Sequence, residues 1–222
     1  QLAQLIEQQQ QIPQAEQRLQ KAATAEYYPL SAAQASIWHQ CQIQQDSSIY
    51  NMPLQLTITG ELDYTAFNTA VTALFQRQHI LRTVYRQNDT GVYQQLTAVP
   101  AVLWHSTDLS ALAGAEQQTL DRLQQQHASY QFDLINDLML QLQLVRLSAR
   151  QHCLLLNLHH IAGDGWSVKL LLQQLAASYN AACQGSTLPI AAADTLQYSD
   201  YAVAQQSTDV EQHNAFWLQE LQ

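Results

Sequence analysis

Cys153-Leu154-Leu155-Leu156-Asn157-Leu158-His159-His160-Ile161-Ala162-Gly163-Asp164-Gly165-Trp166-Ser167 passes from a strand pattern through a polar turn into a helix pattern. Cys153 to Leu158 is a nearly continuous apolar run, as expected of a strand buried on both faces. Such a strand delivers His159 and His160 to its C-terminal end. Beyond Gly163-Asp164-Gly165, the residues Val168, Leu171, Leu172, Leu175 and Tyr179 recur at helical spacing and predict a helix from near Trp166.

A strand-to-helix turn of this composition holds what acyl transfer needs. Imidazole exchanges protons near neutral pH. The two glycines let the backbone turn sharply, and amides at the following helix N-terminus can stabilise charge developing on an oxygen. Asp164, four residues after His160, can fix the loop through an ion pair. No GxSxG nucleophile elbow occurs, so a covalent acyl-enzyme is not suggested. A metal site built on His160 and Asp164 is disfavoured, because the glycines break the helix that would align them and no third ligand lies near.

Working outward, Leu140, Leu142 and Leu144 alternate as a strand, and Ser148 to Gln151 can turn the chain. Earlier, Leu54, Leu56 and Ile58 alternate up to Gly60. Asp63 can cap a helix in which Phe67, Ala70, Val71, Leu74 and Phe75 form a core-facing stripe. Leu81 to Arg86 and Val92 to Leu96 read as a hairpin around Asn88-Asp89-Thr90-Gly91, and helical spacing runs from Leu112 to about Tyr130. Ser31-Ala32-Ala33-Gln34 is a capping-box pattern that starts a helix near Ala32 carrying Ile37 and Trp38. Short helices are expected around Tyr198 to Gln205 and Glu211 to Leu221. Trp38, Tyr198 and Tyr201 read as core and sheet-packing residues, and Cys153 as a small buried hydrophobe. Interleaved strands and helices give an α/β class, an α+β sandwich with a mixed β-sheet flanked by helices.

Composition narrows the function. The 222 residues suit one domain or a large piece of one, with 47% hydrophobic and only 12% charged residues, so the chain folds. Its polarity comes from 38 glutamines. A net charge of −9 disfavours an electrostatic grip on nucleic acid. Cys41, Cys153 and Cys183 are odd in number and far apart, which suggests reduced thiols in a cytoplasmic protein rather than a disulfide framework. No apolar run is long enough for a membrane span. Residues 1–11 carry Leu2, Leu5 and Ile6 on one helical face, and a linker is expected over 12–27.

Together these residues resemble the condensation domains of nonribosomal peptide synthetases, in the chloramphenicol acetyltransferase-like superfamily. His159-His160-Ile161-Ala162-Gly163-Asp164-Gly165 matches the HHxxxDG motif, and Trp166-Ser167 continues it as in amide-forming members. Ser31 to Trp38 resembles SxAQxxxW, Arg77 to Tyr85 resembles RHExLRTxF with Gln78-His79 in place of His-Glu, and Tyr198 to Ala202 resembles YxDFA.

The resemblance implies that residues 28–222 are the N-terminal lobe of such a domain, a chloramphenicol acetyltransferase-like half, and that the preceding segment ends a carrier domain. It implies as partners the donor and acceptor peptidyl carrier domains and the C-terminal lobe. No cofactor is held directly, since phosphopantetheine arms on the carriers bring the thioesters. It implies that His160 is catalytic, as base or as positioner of the amine, with Gly165 giving close backbone approach and an amide near the oxyanion. His159, Asp164, Arg77 and Arg82 are implied as structural support, Asp164 pairing with Arg77. Half a tunnel cannot enclose two arms, so the 222-residue piece alone is expected to be inactive. Rival expectations are an epimerization domain, a coenzyme A acyltransferase, and a scaffold that binds carriers without chemistry.

Overall fold

A computed structural model describes residues 19–44, 46–89, 91–112, 114–188, 195–206 and 218–219. The strands are β1 (Tyr27–Pro29), β2 (Asn51–Thr59), β3 (Thr83–Asn88), β4 (Gly91–Leu96), β5 (His105–Asp108), β6 (Leu140–Ser148) and β7 (Gln151–His159). The helices are α1 (Ala32–Ile43), α2 (Tyr64–Arg77), α3 (Glu116–Ala128), α4 (Gly165–Cys183) and α5 (Tyr198–Gln206).

In place of one mixed sheet, the strands form two sheets, ordered β1-β4-β3 and β2-β7-β6-β5. The larger one is mixed: β7 runs antiparallel to β2 and β6, while β5 joins β6 in parallel. β7 sits at its centre, and its alternating side chains feed two cores. Leu154, Leu156 and Leu158 join Phe67, Val71 and Leu74 of α2 and Leu171 and Leu175 of α4 on one face. Cys153 and Leu155 face the other way, into a smaller cluster with Leu109, Leu120 of α3 and Val145. A strand covered on both sides needs apolar residues at consecutive positions, which is why Cys153 to Leu158 does not alternate.

Local signals set the ends of the elements. The Ser31 side chain accepts from the Gln34 amide, and the Gln34 side chain accepts from the Ser31 amide, completing the capping box of α1. Asp63 caps α2 by accepting from the Thr65 and Ala66 amides. Gly91, at φ +134°, closes the β3–β4 hairpin opposite Asn88, a backbone conformation that a side chain rarely adopts.

Several expectations shift. Leu81 and Arg82 belong to a 3₁₀ turn, His79–Arg82, ahead of β3. α3 starts at Glu116 and not near Leu112, which lies in a turn where its amide donates to the Leu109 carbonyl. β1 and β5 carry no strand pattern that announces them. Tyr198 and Tyr201 are exposed and not packed in the core, whereas Trp38 and Cys153 are buried. The expected carrier-domain end over 1–11 and most of the helix over 211–221 lie outside the described residues. No helix among the described residues is long and apolar enough to cross a membrane.

Leu156 pairs with Leu54 on one side and Leu142 on the other, and is 1% exposed. Leu156→Ala is expected to cost about 2–5 kcal/mol, the range for a leucine deleted from a packed core, read as a lowered urea midpoint with unchanged slope.

Candidate active site

β7 ends at His159, and the chain then makes a short 3₁₀ turn, His160–Ala162, before α4 begins. That turn separates the two histidines. His159 points inward and is fully buried, with its ring 5.4 Å from Phe132 and 6.0 Å from Tyr50, centre to centre. His160 is exposed, while the next two residues, Ile161 and Ala162, are buried again.

The backbone of the turn is fixed on both sides of Ile161. Its amide donates to His159 Nδ1 at 3.2 Å, so the neutral His159 carries its proton on Nε2. Its carbonyl accepts from the Tyr85 hydroxyl at 3.2 Å, with Gln34 Nε2 also within 3.4 Å. Burial first, and the neighbouring imidazole of His160 second, pull His159 down to about 4, which keeps it uncharged near neutrality.

Asp164 is the N-cap of α4. Its carboxylate accepts from the Ser167 amide at 2.9 Å and from the Ser167 hydroxyl at 2.8 Å, and that hydroxyl in turn accepts from the Asp164 amide at 3.1 Å. These bonds restrain the Asp164 carboxylate and hold it below the usual carboxylate range. The cap occupies the Ser167 amide of the helix's first turn and orients the rest of that positive end.

The two glycines of the turn differ in what surrounds them. A Cβ at Gly163 would lie 2.7 Å from Ser167 Cβ and 3.2 Å from a Leu158 methyl, so the close approach demanding glycine is internal to the turn. A Cβ at Gly165 would meet nothing within 4 Å, leaving open space at the helix start.

His160 and Asp164 line a groove of about 470 Å³; His159, Gly165, Arg77 and Arg82 do not. One wall is α1, through Ala33, Gln34 and Ile37. Another is the 3₁₀ turn after α2, through Gln78, Ile80 and Leu81, and a third is Ser167, Leu170 and Leu171 of α4. Leu196, Gln197 and Tyr198 complete it.

Arg82 and Arg77 belong to the frame behind those walls. Arg82 Nη1 donates to the Thr97 carbonyl at 2.6 Å, and the Thr97 amide and hydroxyl return bonds to the Arg82 carbonyl, closing the base of the β3–β4 hairpin. The Arg77 carbonyl accepts from Gln197 Nε2, whose Oε1 accepts from the His79 amide. Gln78, at the altered His-Glu position, donates to Gln174 Oε1 on α4 at 2.9 Å, so that departure still yields a bonded polar pair. Gln34, Tyr85, Gln94 and Gln197 are site residues that sequence reasoning missed. Gln34 and Tyr85 do stand inside quoted motifs, but nothing local shows that they converge on Ile161.

A family model of the condensation domain matches residues 24–222. The chain belongs to the condensation-domain family. A linear gramicidin synthase of Brevibacillus parabrevis is 38% identical to it over 188 residues, 83% of this chain and 4% of that protein. The dimodular nonribosomal peptide synthase of Bacillus subtilis strain 168 is 34% identical over 192 residues, 85% of this chain and 8% of that protein. Among solved structures, the starter condensation domain of rhizomide synthetase RzmA is similar at TM-score 0.77 and 26% identity, over 88% of this chain and 48% of that one. An X-domain from teicoplanin biosynthesis, solved in complex with OxyB, is similar at TM-score 0.73 and 28% identity, over 85% of this chain and 40% of that one. The chain thus spans a small part of these curated relatives and about half of the solved condensation domain.

Gly163→Ala is expected to destabilise the fold by about 1–3 kcal/mol, the usual cost of overpacking, while Gly165→Ala leaves the melting temperature unchanged. Thermal melts of the two variants side by side check this. For His159 the unfolded value is about 6.5 and the folded value about 4, so on acidification the unfolded chain takes up the proton first. Its contribution is complete above about pH 6.5 and is lost progressively toward pH 4. Urea unfolding at stepped pH should therefore show a shallower acid slope for His159→Phe, the remainder coming from groups such as His79, His127 and His152, which burial also pushes down.

Proposed function

We propose that this chain is the histidine-bearing lobe of a condensation domain that joins two carrier-bound thioesters through an amide. The observation that carries it is His160: a solvent-accessible imidazole, on a backbone bonded from both sides, at the edge of a groove with apolar walls. Support comes from the family membership and from relatives whose names are peptide synthetases.

In this reading donor and acceptor carrier domains present their substrates on phosphopantetheine arms, and the second half of the domain closes the groove into a tunnel. The acceptor's amine attacks the donor's thioester carbonyl. A carbon–nitrogen bond forms, the carbon–sulfur bond breaks, and the donor's thiol leaves with a proton. His160 meets the amine, either taking the proton it loses or holding it by a hydrogen bond for attack. Gly165 leaves room at the start of α4, where first-turn amides face the charge on the former carbonyl oxygen. Ile37, Ile80, Leu170 and Leu196 exclude water along the path of an arm. His159, Asp164, Arg77 and Arg82 keep the turn and the walls in place.

A second reading is a carrier- or partner-binding scaffold without chemistry, favoured by the likeness to an X-domain solved with OxyB.

Both are tested by mass spectrometry of loaded donor and acceptor carriers with the complete condensation domain and its His160→Ala variant. The expected outcome is amide formation that falls at least about a hundredfold in the folded variant, the lower end for a general acid–base group. Bound carriers with no amide from the wild type establish the scaffold. A change in configuration of the loaded residue, without an amide, establishes epimerization.

A further inference from the structure

Beneath the turn that carries His160 lies a buried polar network that the reaction scheme does not use. Gln34, Gln94 and Tyr85 are each no more than 2% exposed. Gln34 Oε1 accepts from the Ser31 amide, and its Nε2 donates to the Tyr85 hydroxyl at 3.1 Å and to Gln94 Oε1 at 3.2 Å. Gln94 Nε2 donates to the Pro29 carbonyl at 2.8 Å.

An amide nitrogen has two hydrogens, and the two bonds from Gln34 use both. The 3.4 Å approach of Gln34 Nε2 to the Ile161 carbonyl is therefore the weaker claim on that oxygen, and the Tyr85 hydroxyl at 3.2 Å is its donor. Burial pushes the phenol up, so it stays protonated and able to donate. Each of the three side chains both donates and accepts, and a connected buried network of this kind fixes a unique geometry.

We propose that the Tyr85 hydroxyl is a positioning group for His160: by holding the Ile161 carbonyl, one residue beyond the histidine, it sets the turn that aims the imidazole into the groove. The motif that residues 77–85 resemble ends in Phe, and Tyr85 stands there with an added oxygen. The hydroxyl links the three-stranded sheet, through β3, to the turn that follows β7 of the four-stranded sheet.

The kinetic arm of the test rests on the condensation reading; the structural arm does not. Tyr85→Phe in the complete protein removes the hydroxyl, and with it both the bond donated to the Ile161 carbonyl and the bond accepted from Gln34 Nε2. With loaded carriers, kcat is expected to fall about tenfold, equivalent to ~1.4 kcal/mol, with KM for the acceptor carrier held within about twofold. In the same variant, NMR of labelled histidine should show the His160 ring signals shifted or broadened, those of distant histidines such as His105 unchanged. Val145→Ala, in the smaller core on the far face of the sheet, is the stability control: it lowers the melting temperature and leaves kcat and the His160 signals as they are. Tyr85→4-aminophenylalanine restores an N–H donor and should recover most of the lost rate.

The proposal stands if rate and His160 signals move together in Tyr85→Phe, and is overturned if either stays at the wild-type value. Should Tyr85→Phe not fold, the 4-aminophenylalanine variant decides: wild-type rate and signals uphold the donor's role, and loss of both overturns it. If the wild type makes no amide, the condensation reading has failed, and the His160 signals alone judge the hydroxyl.

Discussion

The carbonyl of Ile161 must have a donor. It lies in the bend between β7 and α4, it is buried, and a backbone oxygen left unbonded there would cost about 1–3 kcal/mol. The donor comes from β3, in the other sheet, and is itself held by Gln34 at the start of α1. Meeting that one need joins the capping box of α1, the β3–β4 hairpin and the end of β7 at a single buried point. His160 projects from the bend so fixed, while His159 fills the space behind it and bonds the amide of the same residue. The site is therefore shaped less by the histidine than by the peptide beside it.

The groove walls depend on similar long-range bonds. Gln197 ties the segment before α5 to the 3₁₀ turn after α2, and Asp200 accepts from both the Gln197 and Ala22 amides while itself buried. Ser31 and Tyr198 share a hydrogen bond at 2.9 Å across the same junction. Each wall is a short piece of helix or turn, and the bonds that hold it come from glutamine, serine, tyrosine and a capping aspartate. This accounts for how a chain with so few charges satisfies much of its polar interior, and gives a structural use to part of its abundant glutamine.

What can be read from the sequence is local. The caps at Ser31 and Asp63, the stripe of α2, the hairpin around Gly91 and the two-sided strand β7 are each written in a few consecutive residues. HHxxxDG likewise places the turn between β7 and α4. The misreadings mostly concern partners. The cap that Asp164 makes with Ser167, three residues on, goes unread beside the ion pair that the resemblance implies. Tyr198 and Tyr201 are apolar enough to expect inside, yet Tyr198 spends its hydroxyl on Ser31, far away in sequence, at the surface of the junction. The split into two sheets is hidden because β1 is three residues long and ends in proline, too brief to show a period.

The register of the central strand has a consequence in time. β2 pairs along its whole length with β7, about a hundred residues later in the chain, and Tyr85 bonds an oxygen 76 positions away. Contacts of such separation form late, after chain entropy has been overcome. On a ribosome, the β3–β4 hairpin and α2 can take shape as they emerge, but β2 has no neighbour until β7 follows. Both edges of β2 are then open, and an open edge invites pairing with another chain. The histidine turn arrives with the strand that pairs one edge of β2, so the turn and the central pairing of the larger sheet form together.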